Sequence, residues 1–173
     1  LPVAPEPKPA PVQAPVTPTL PNTVDRVEAQ LAGLLTNASV YVVTESSGSD
    51  VPTVINYAQD TANIGNFNPN NLIPGMGTHT DNIGMEVVTY LQLSRGPYRF
   101  GVAKDDGCQV TAGPVPANTN LVLGVSPANG EFTFDFLVET NGLYPFRLVY
   151  YEGTGGAGVE WFAVNLQTSE RTL

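Results

Sequence analysis

Residues 98–107, YRFGVAKDDG, and residues 143–162, LYPFRLVYYEGTGGAGVEWF, together decide the fold. In the first, Tyr98, Phe100 and Val102 share one face, and the run ends in two aspartates and a glycine. In the second, Tyr144, Phe146, Leu148 and Tyr150 alternate, a glycine-rich loop follows, and Val159, Trp161 and Ala163 resume the alternation. A side-chain period of two is the mark of a half-buried strand. Working outward, Phe132, Phe134, Phe136 and Val138 form an apolar face opposite Glu131, Thr133 and Asp135. Residues 84–93, GMEVVTYLQL, alternate too, and LSRGP links them to the first stretch as a hairpin turn. So many alternating runs predict a mainly β chain, an antiparallel β-sandwich of jelly-roll-like type. The acidic turn and the glycine-rich loop are expected to meet at one end of it.

Upstream, residues 22–35, NTVDRVEAQLAGLL, read as one short helix. Asn22 or Thr23 can cap it, Asp25 and Glu28 suit its first turns, and Val24, Val27, Leu31 and Leu34 fall on one face. Residues 39–44, SVYVVT, and 51–57, VPTVINY, read as strands, and 58–82 as a long Asn/Gly/Pro-rich loop. A structureless loop of that length inside a compact domain is often functional. Residues 1–21 hold eight of the sixteen prolines, so they favour an extended, donor-poor polyproline conformation rather than a core. At about 3.1 Å per residue this arm reaches on the order of 65 Å. It serves either as a semi-rigid linker or as an arm that packs Pro2, Pro5, Pro7, Pro9, Pro11, Pro15 and Pro18 against a neighbouring subunit. The chain therefore divides into an arm, 1–21, and a sandwich domain, 22–173. At roughly 150 residues that domain buries about 68–70% of its unfolded surface.

Charge and composition exclude several functions. With a net charge of −9 and only seven Lys and Arg, the chain lacks the basic patch that nucleic-acid backbones or anionic membranes require. No apolar run approaches the ~20 residues of a membrane helix, so no insertion is expected. Leu1 reads as a processed start, which leaves export open. Cys108 is the single cysteine, which rules out an internal disulfide. Preceding carboxylates are expected to raise its thiol pKa, which fits a buried strand residue and not a nucleophile. His79 is the single histidine, so no His-based triad or multi-His zinc site exists. The glycine-rich loop does not open a helix, so it offers no phosphate cradle. Paired carboxylates serve glycosidases, but no cleft can be inferred beside these, and the chain is expected not to be an enzyme.

Asp105 and Asp106 leave two readings open. In one, they form a tight turn in which an aspartate caps backbone donors before Gly107 takes a positive φ. In the other, calcium neutralises their repulsion. Calcium accepts six to eight oxygens, and Glu152 and the carbonyls of the following loop are within chain reach of adding some.

The same residues carry a resemblance. YRFGVAKDDG followed by NGLYPFRLVYYEGTGGAGVEWFAV (141–164) is similar to the protective-antigen-type β-sandwich domain found in large secreted bacterial proteins. VEAQLAG, VINY, GNFN, DNIGMEVVTYLQL and VEWFAV resemble further segments of it in order, so the likeness runs from about Val24 to Leu173. Some members, sugar-binding yeast adhesins among them, hold calcium through a cis Asp-Asp pair completed by an Asn from a neighbouring loop. The resemblance implies that Asp105 and Asp106 are that pair, with Glu152 at the Asn position and Thr154 beside it facing a carbohydrate. A third carboxylate suits calcium but leaves less positive charge to polarise sugar hydroxyls, and Lys104 offsets the acidic pair. Other members are modules of secreted enzymes, adhesins or surface proteins.

The leading expectation is a non-catalytic, secreted or cell-surface module that builds an extracellular filament or layer. In it the arm contacts copies of the chain or other surface proteins. The alternatives are a calcium-dependent carbohydrate-binding domain and an accessory module of a secreted glycan-degrading enzyme.

Overall fold

The computed structural model describes residues 21–35, 41, 54–59, 65–113 and 121–173. The arm up to residue 20, most of the expected strand at 39–44 and the start of that at 51–57 lie outside the described residues. Helix α1 spans Val24–Leu31; Thr23 caps it, its side chain accepting from the Arg26 N–H. The helix is shorter than its sequence pattern because Gly33 turns left-handed at φ 71°, which ends it. Leu34, beyond that turn, is exposed instead of joining the apolar face.

Among the described residues nine strands follow, β1 (Asn56–Ala58), β2 (Gly84–Leu93), β3 (Gly96–Asp105), β4 (Gly107–Ala112), β5 (Leu121–Ser126), β6 (Gly130–Val138), β7 (Gly142–Tyr151), β8 (Gly158–Val164) and β9 (Arg171–Thr172). They form two antiparallel sheets. One runs β1-β8-β3-β6 with β9 also on β8, and the other runs β2-β7-β4-β5.

The alternating side chains meet between the sheets as the sequence pattern requires. Phe100, Val102, Phe134 and Val138 come from one sheet and Cys108, Val110, Phe146, Leu148 and Tyr150 from the other, all buried in one core. Phe100 bridges the layers, its ring centroid 5.9 Å from that of Phe146, which in turn lies 6.1 Å from Trp161. Each such side chain contributes about 1.5–3 kcal/mol on burial.

The alternation fails to describe β8, where Phe162, on the face away from Val159, is also buried. Phe67 packs over it, ring centroids 6.2 Å apart, and a Cβ on Gly101 would stand 2.5 Å from the Phe162 ring. The loop before β2 therefore acts as a second, small layer on the outside of that sheet. On the outside of the other sheet, Val24 and Val27 of α1 pack against Val149 and Tyr151. No described helix is long and apolar enough to cross a membrane.

A candidate cation site where the chain changes sheets

β3 belongs to the first sheet and β4 to the second, so the chain crosses between layers at Asp106 alone. β7 and β8 are joined by the reverse crossing, residues 152–157. Strand register puts the two crossings side by side. Gly107 pairs with Tyr151, and Asp105 pairs with Gly158. Gly84, which opens β2, also pairs with Tyr151, so the loop before it reaches the same end. Two stretches far apart in sequence thus meet because both carry the chain across at the same level of the sandwich.

The crossing packs tightly. A Cβ on Gly107 would stand 2.3 Å from the Tyr151 hydroxyl and 2.8 Å from the Ser126 carbonyl, so the glycine is required by close approach. This corrects the expectation of a left-handed turn, since the positive-φ glycines do not include Gly107. The Asp105–Asp106 peptide is cis. The buried Tyr150 hydroxyl donates to the Asp105 carbonyl and accepts from the Gly158 N–H at 3.0 Å, tying the two crossings together.

Asp105, Asp106 and Glu152 each place a carboxylate oxygen within 4.8 Å of the other two. The Asp106 Oδ2 accepts from the Asn22 side-chain amide at 2.5 Å and from the Gly153 N–H at 3.0 Å, so its carboxylate is held in one orientation. The capping role of the turn reading is therefore present, and it coexists with the cluster. Glu152 is 0% exposed, and its carboxylate oxygens have no hydrogen-bond partner among the described residues. Loss of solvation, then the charges of Asp106 and Asp105, push its pKa up to about 8. A buried carboxyl set against two carboxylates is costly when ionised, and a divalent cation would remove that cost. Three hard oxygen donors in a partly buried cup fit calcium, with carbonyls and water completing the shell.

Two cationic groups border the cup. Arg26, 2% exposed, donates through Nη2 to the Ile83 and Glu152 carbonyls, each at 3.0 Å. Burial presses its pKa down, while Glu152 and Asp106 push it back up. Sequence reading missed Arg26, whose only signal is a charged residue beside the apolar stripe of a short helix. Lys104, also 2% exposed, donates to the carbonyls of Ala128 and Gly130.

The 58–82 loop does reach this end. The Asn82 N–H donates to the Gly153 carbonyl at 2.7 Å, and Asp81 Oδ1 accepts from the Gly155 N–H at 3.1 Å. That bond, with one from Thr80, lowers the Asp81 pKa. Thr154 is exposed in the same loop and makes no hydrogen bond among the described residues. His79 lies exposed in the 58–82 loop and does not join the cluster. Cys108 is 0% exposed with its thiol pushed up to about 12. Burial is the cause, with Lys104 pulling the other way, not the neighbouring carboxylates that the sequence pointed to.

No family model matches the chain, and no curated protein matches it in sequence. Among solved structures, it is similar to the A domain of epithelial adhesin 9 from Candida glabrata in complex with Galβ1-4GlcNAc, with a TM-score of 0.46 and 20% identity. That match covers 54% of this chain and 49% of the adhesin chain. The PA14 domain of the antifreeze protein MpAFP gives a TM-score of 0.45 and 18% identity over 54% of this chain and 48% of that one. The A domain of epithelial adhesin 6 from the same yeast, in complex with Galβ1-3GlcNAc, gives 0.45 and 12% over the same shares. The likeness is one of fold, a PA14-like β-sandwich, and spans about half the length of each structure.

Proposed function

We propose that this chain is a non-enzymatic module of the cell exterior that holds calcium at Asp105, Asp106 and Glu152 and binds neutral glycans through it. The observation that carries this reading is Glu152, a carboxyl with no exposure and no hydrogen-bond partner among the described residues, set beside two more carboxylates. Asp105 and Asp106 are half-buried, so a cation held there would keep part of its shell open towards solvent. Vicinal sugar hydroxyls can fill such positions, because calcium takes six to eight oxygens and tolerates irregular geometry. Thr154, exposed in the adjoining loop, would contact a bound sugar.

Calorimetric titration with calcium chloride tests the site. The parent protein is expected to bind one ion, and Asp106→Asn and Glu152→Gln to bind about tenfold more weakly or worse. A parent protein with no calcium heat overturns the reading. Sugar binding is tested on a glycan panel in calcium and again in EDTA. The panel includes galactosides, since the adhesin domains of similar fold were solved with galactose-containing disaccharides.

The second reading is the structural one, in which copies assemble and the Pro-rich arm packs on a neighbour. The arm is outside the described residues, and the observation on this reading's side is an apolar outer surface. Val88, Tyr90, Val122, Val125 and Leu143, all on β2, β7 and β5, are exposed. Sedimentation of the full chain against a variant lacking residues 1–21 decides it, and equal behaviour of the two sinks the arm's role.

A further inference from the structure

Of the strands that end the two sheets, β2 is the one left without protection. It is ten residues long, and its register with β7 runs from Gly84 to Leu93 without a shift. It holds no proline and no lysine, and its single charge, Glu86, is drawn over its own sheet by Arg147 Nε at 2.5 Å. The other ends are blunted in the ways by which sheets avoid stray pairing. β1 has three residues, β5 meets β4 with a register shift at Val110/Thr111, and β6 carries Glu131 and Asp135, each in an ion pair. Among the described residues, β2 pairs with β7 alone, and no loop backbone bonds to it.

The side chains of β2 show the same lack of cover. Met85, Val87 and Leu91 pack against the core but are only partly buried. On the outer face Val88 is 54% exposed and Tyr90 48%. An extended strand laid along β2 would cover both rows and satisfy its open N–H and C=O groups.

The sequence of β2 says which strand suits it. Opposite residues of an antiparallel pair share a face, so a register must set outer residues against outer residues. Turned about Thr89, β2 meets a second β2 with Val88 opposite Tyr90 and Glu86 opposite Gln92 on the outer face. On the core face Val87 meets Leu91 and Met85 meets Leu93. Apolar residues face apolar ones, the Val–Tyr contact is a favourable β-branched–aromatic pair, and no like charges oppose.

We propose that β2 is a self-pairing edge, joining two copies of the chain about a two-fold axis at Thr89 and merging their four-stranded sheets into one. Such a contact uses the same surface on both copies and closes at two. It draws on neither calcium nor the Pro-rich arm. Gly84, the first residue of β2, pairs with Tyr151 beside the acidic cluster. Because the copies run antiparallel, their two clusters stand at opposite ends of the joined sheet. With those clusters occupied as proposed above, the pair bridges two partners instead of gripping one twice.

Sedimentation velocity of the full chain over a dilution series is expected to show a monomer–dimer equilibrium that EDTA leaves in place. Val88→Lys with Tyr90→Lys sets like charges opposite each other at two symmetric places, on exposed positions that the fold does not need. It is expected to weaken the dimer about tenfold or more. Val88→Lys with Tyr90→Glu sets opposite charges across the same places and is expected to restore pairing. Circular dichroism of both variants keeps loss of fold apart from loss of pairing. A parent that stays monomeric throughout, or a double-lysine variant that pairs as tightly as the parent, overturns the proposal. Failure of the opposite-charge variant to recover, with its fold intact, overturns the register about Thr89. A dimer that disappears on removal of residues 1–21 belongs to the arm and overturns the pairing of β2.

Discussion

Glu152 carries the most specific consequence at the scale of one residue. Its folded pKa, about 8, lies above its ordinary value of 4.5 because burial and the two aspartates favour the neutral form. The folded protein therefore holds this proton more tightly than the unfolded chain does. The resulting stabilisation is full below pH 4.5 and is lost as pH rises towards 8. In EDTA, the melting temperature of the parent is expected to fall relative to Glu152→Gln between pH 5 and pH 8.5, by on the order of 5 °C. Parallel curves for the two proteins would show that Glu152 is not buried as described. Cys108 makes a second prediction, since a thiol raised to about 12 and sealed in the core is almost wholly un-ionised at neutral pH. Iodoacetamide at pH 8 should label it only after denaturation, and rapid labelling of the native protein would contradict its placement.

Among the elements, α1 links the sandwich to the site. Its Thr23 cap, its Val24 and Val27 contacts and the Arg147 bonds to Glu28 at 2.5 and 2.8 Å seat it on the second sheet. Arg26 fastens it to the cup itself. Arg26→Met keeps the aliphatic stem but leaves the Ile83 and Glu152 carbonyls without that donor, at a cost of about 2–3 kcal/mol. A urea midpoint within error of the parent would refute it. The helix was legible in the sequence as an amphipathic run with a cap, as were β2, β3, β6 and β7, because period-two alternation reports on a strand with one dry face; β8 was found as a strand, but not its burial on both faces. Phe162 was not legible, because its burial depends on Phe67 arriving from a distant loop. Asp105, Asp106 and Glu152 stood out as acidic residues at strand ends. Arg26 did not, because its role depends on where the helix docks, which no local pattern encodes.

For the whole molecule, the site is a product of topology. The two crossings between layers fall at one level, so residues from four separate parts of the chain (22–26, 81–83, 105–106 and 152–155) converge only in the complete sandwich. Calcium, binding the folded form alone, should stabilise the entire domain. At a hundredfold excess over its dissociation constant it adds about 2.7 kcal/mol, read as a shift of the thermal transition. The shift should fall to about half in Asp106→Asn at the same calcium concentration, and a calcium-independent transition in the parent would remove the basis for the site. The net charge of −9 works in the same direction, since a bound divalent cation relieves part of the repulsion.

Asn22 gives the architecture a mechanical side. It is bonded to Asp106 Oδ2, and the Pro-rich stretch begins one residue before it. A pull on that stretch is therefore delivered to Asp106 of the acidic cluster. The contacts first in line are those of Asn22 and of α1, while the long ladders of β2, β3 and β7 lie behind them. Tension on the N-terminal side would loosen the grip on calcium, and on anything held through it, well before it opened the sheets. With calcium and glycan held as proposed, a module tethered this way would release them under load and stay folded to take them up again.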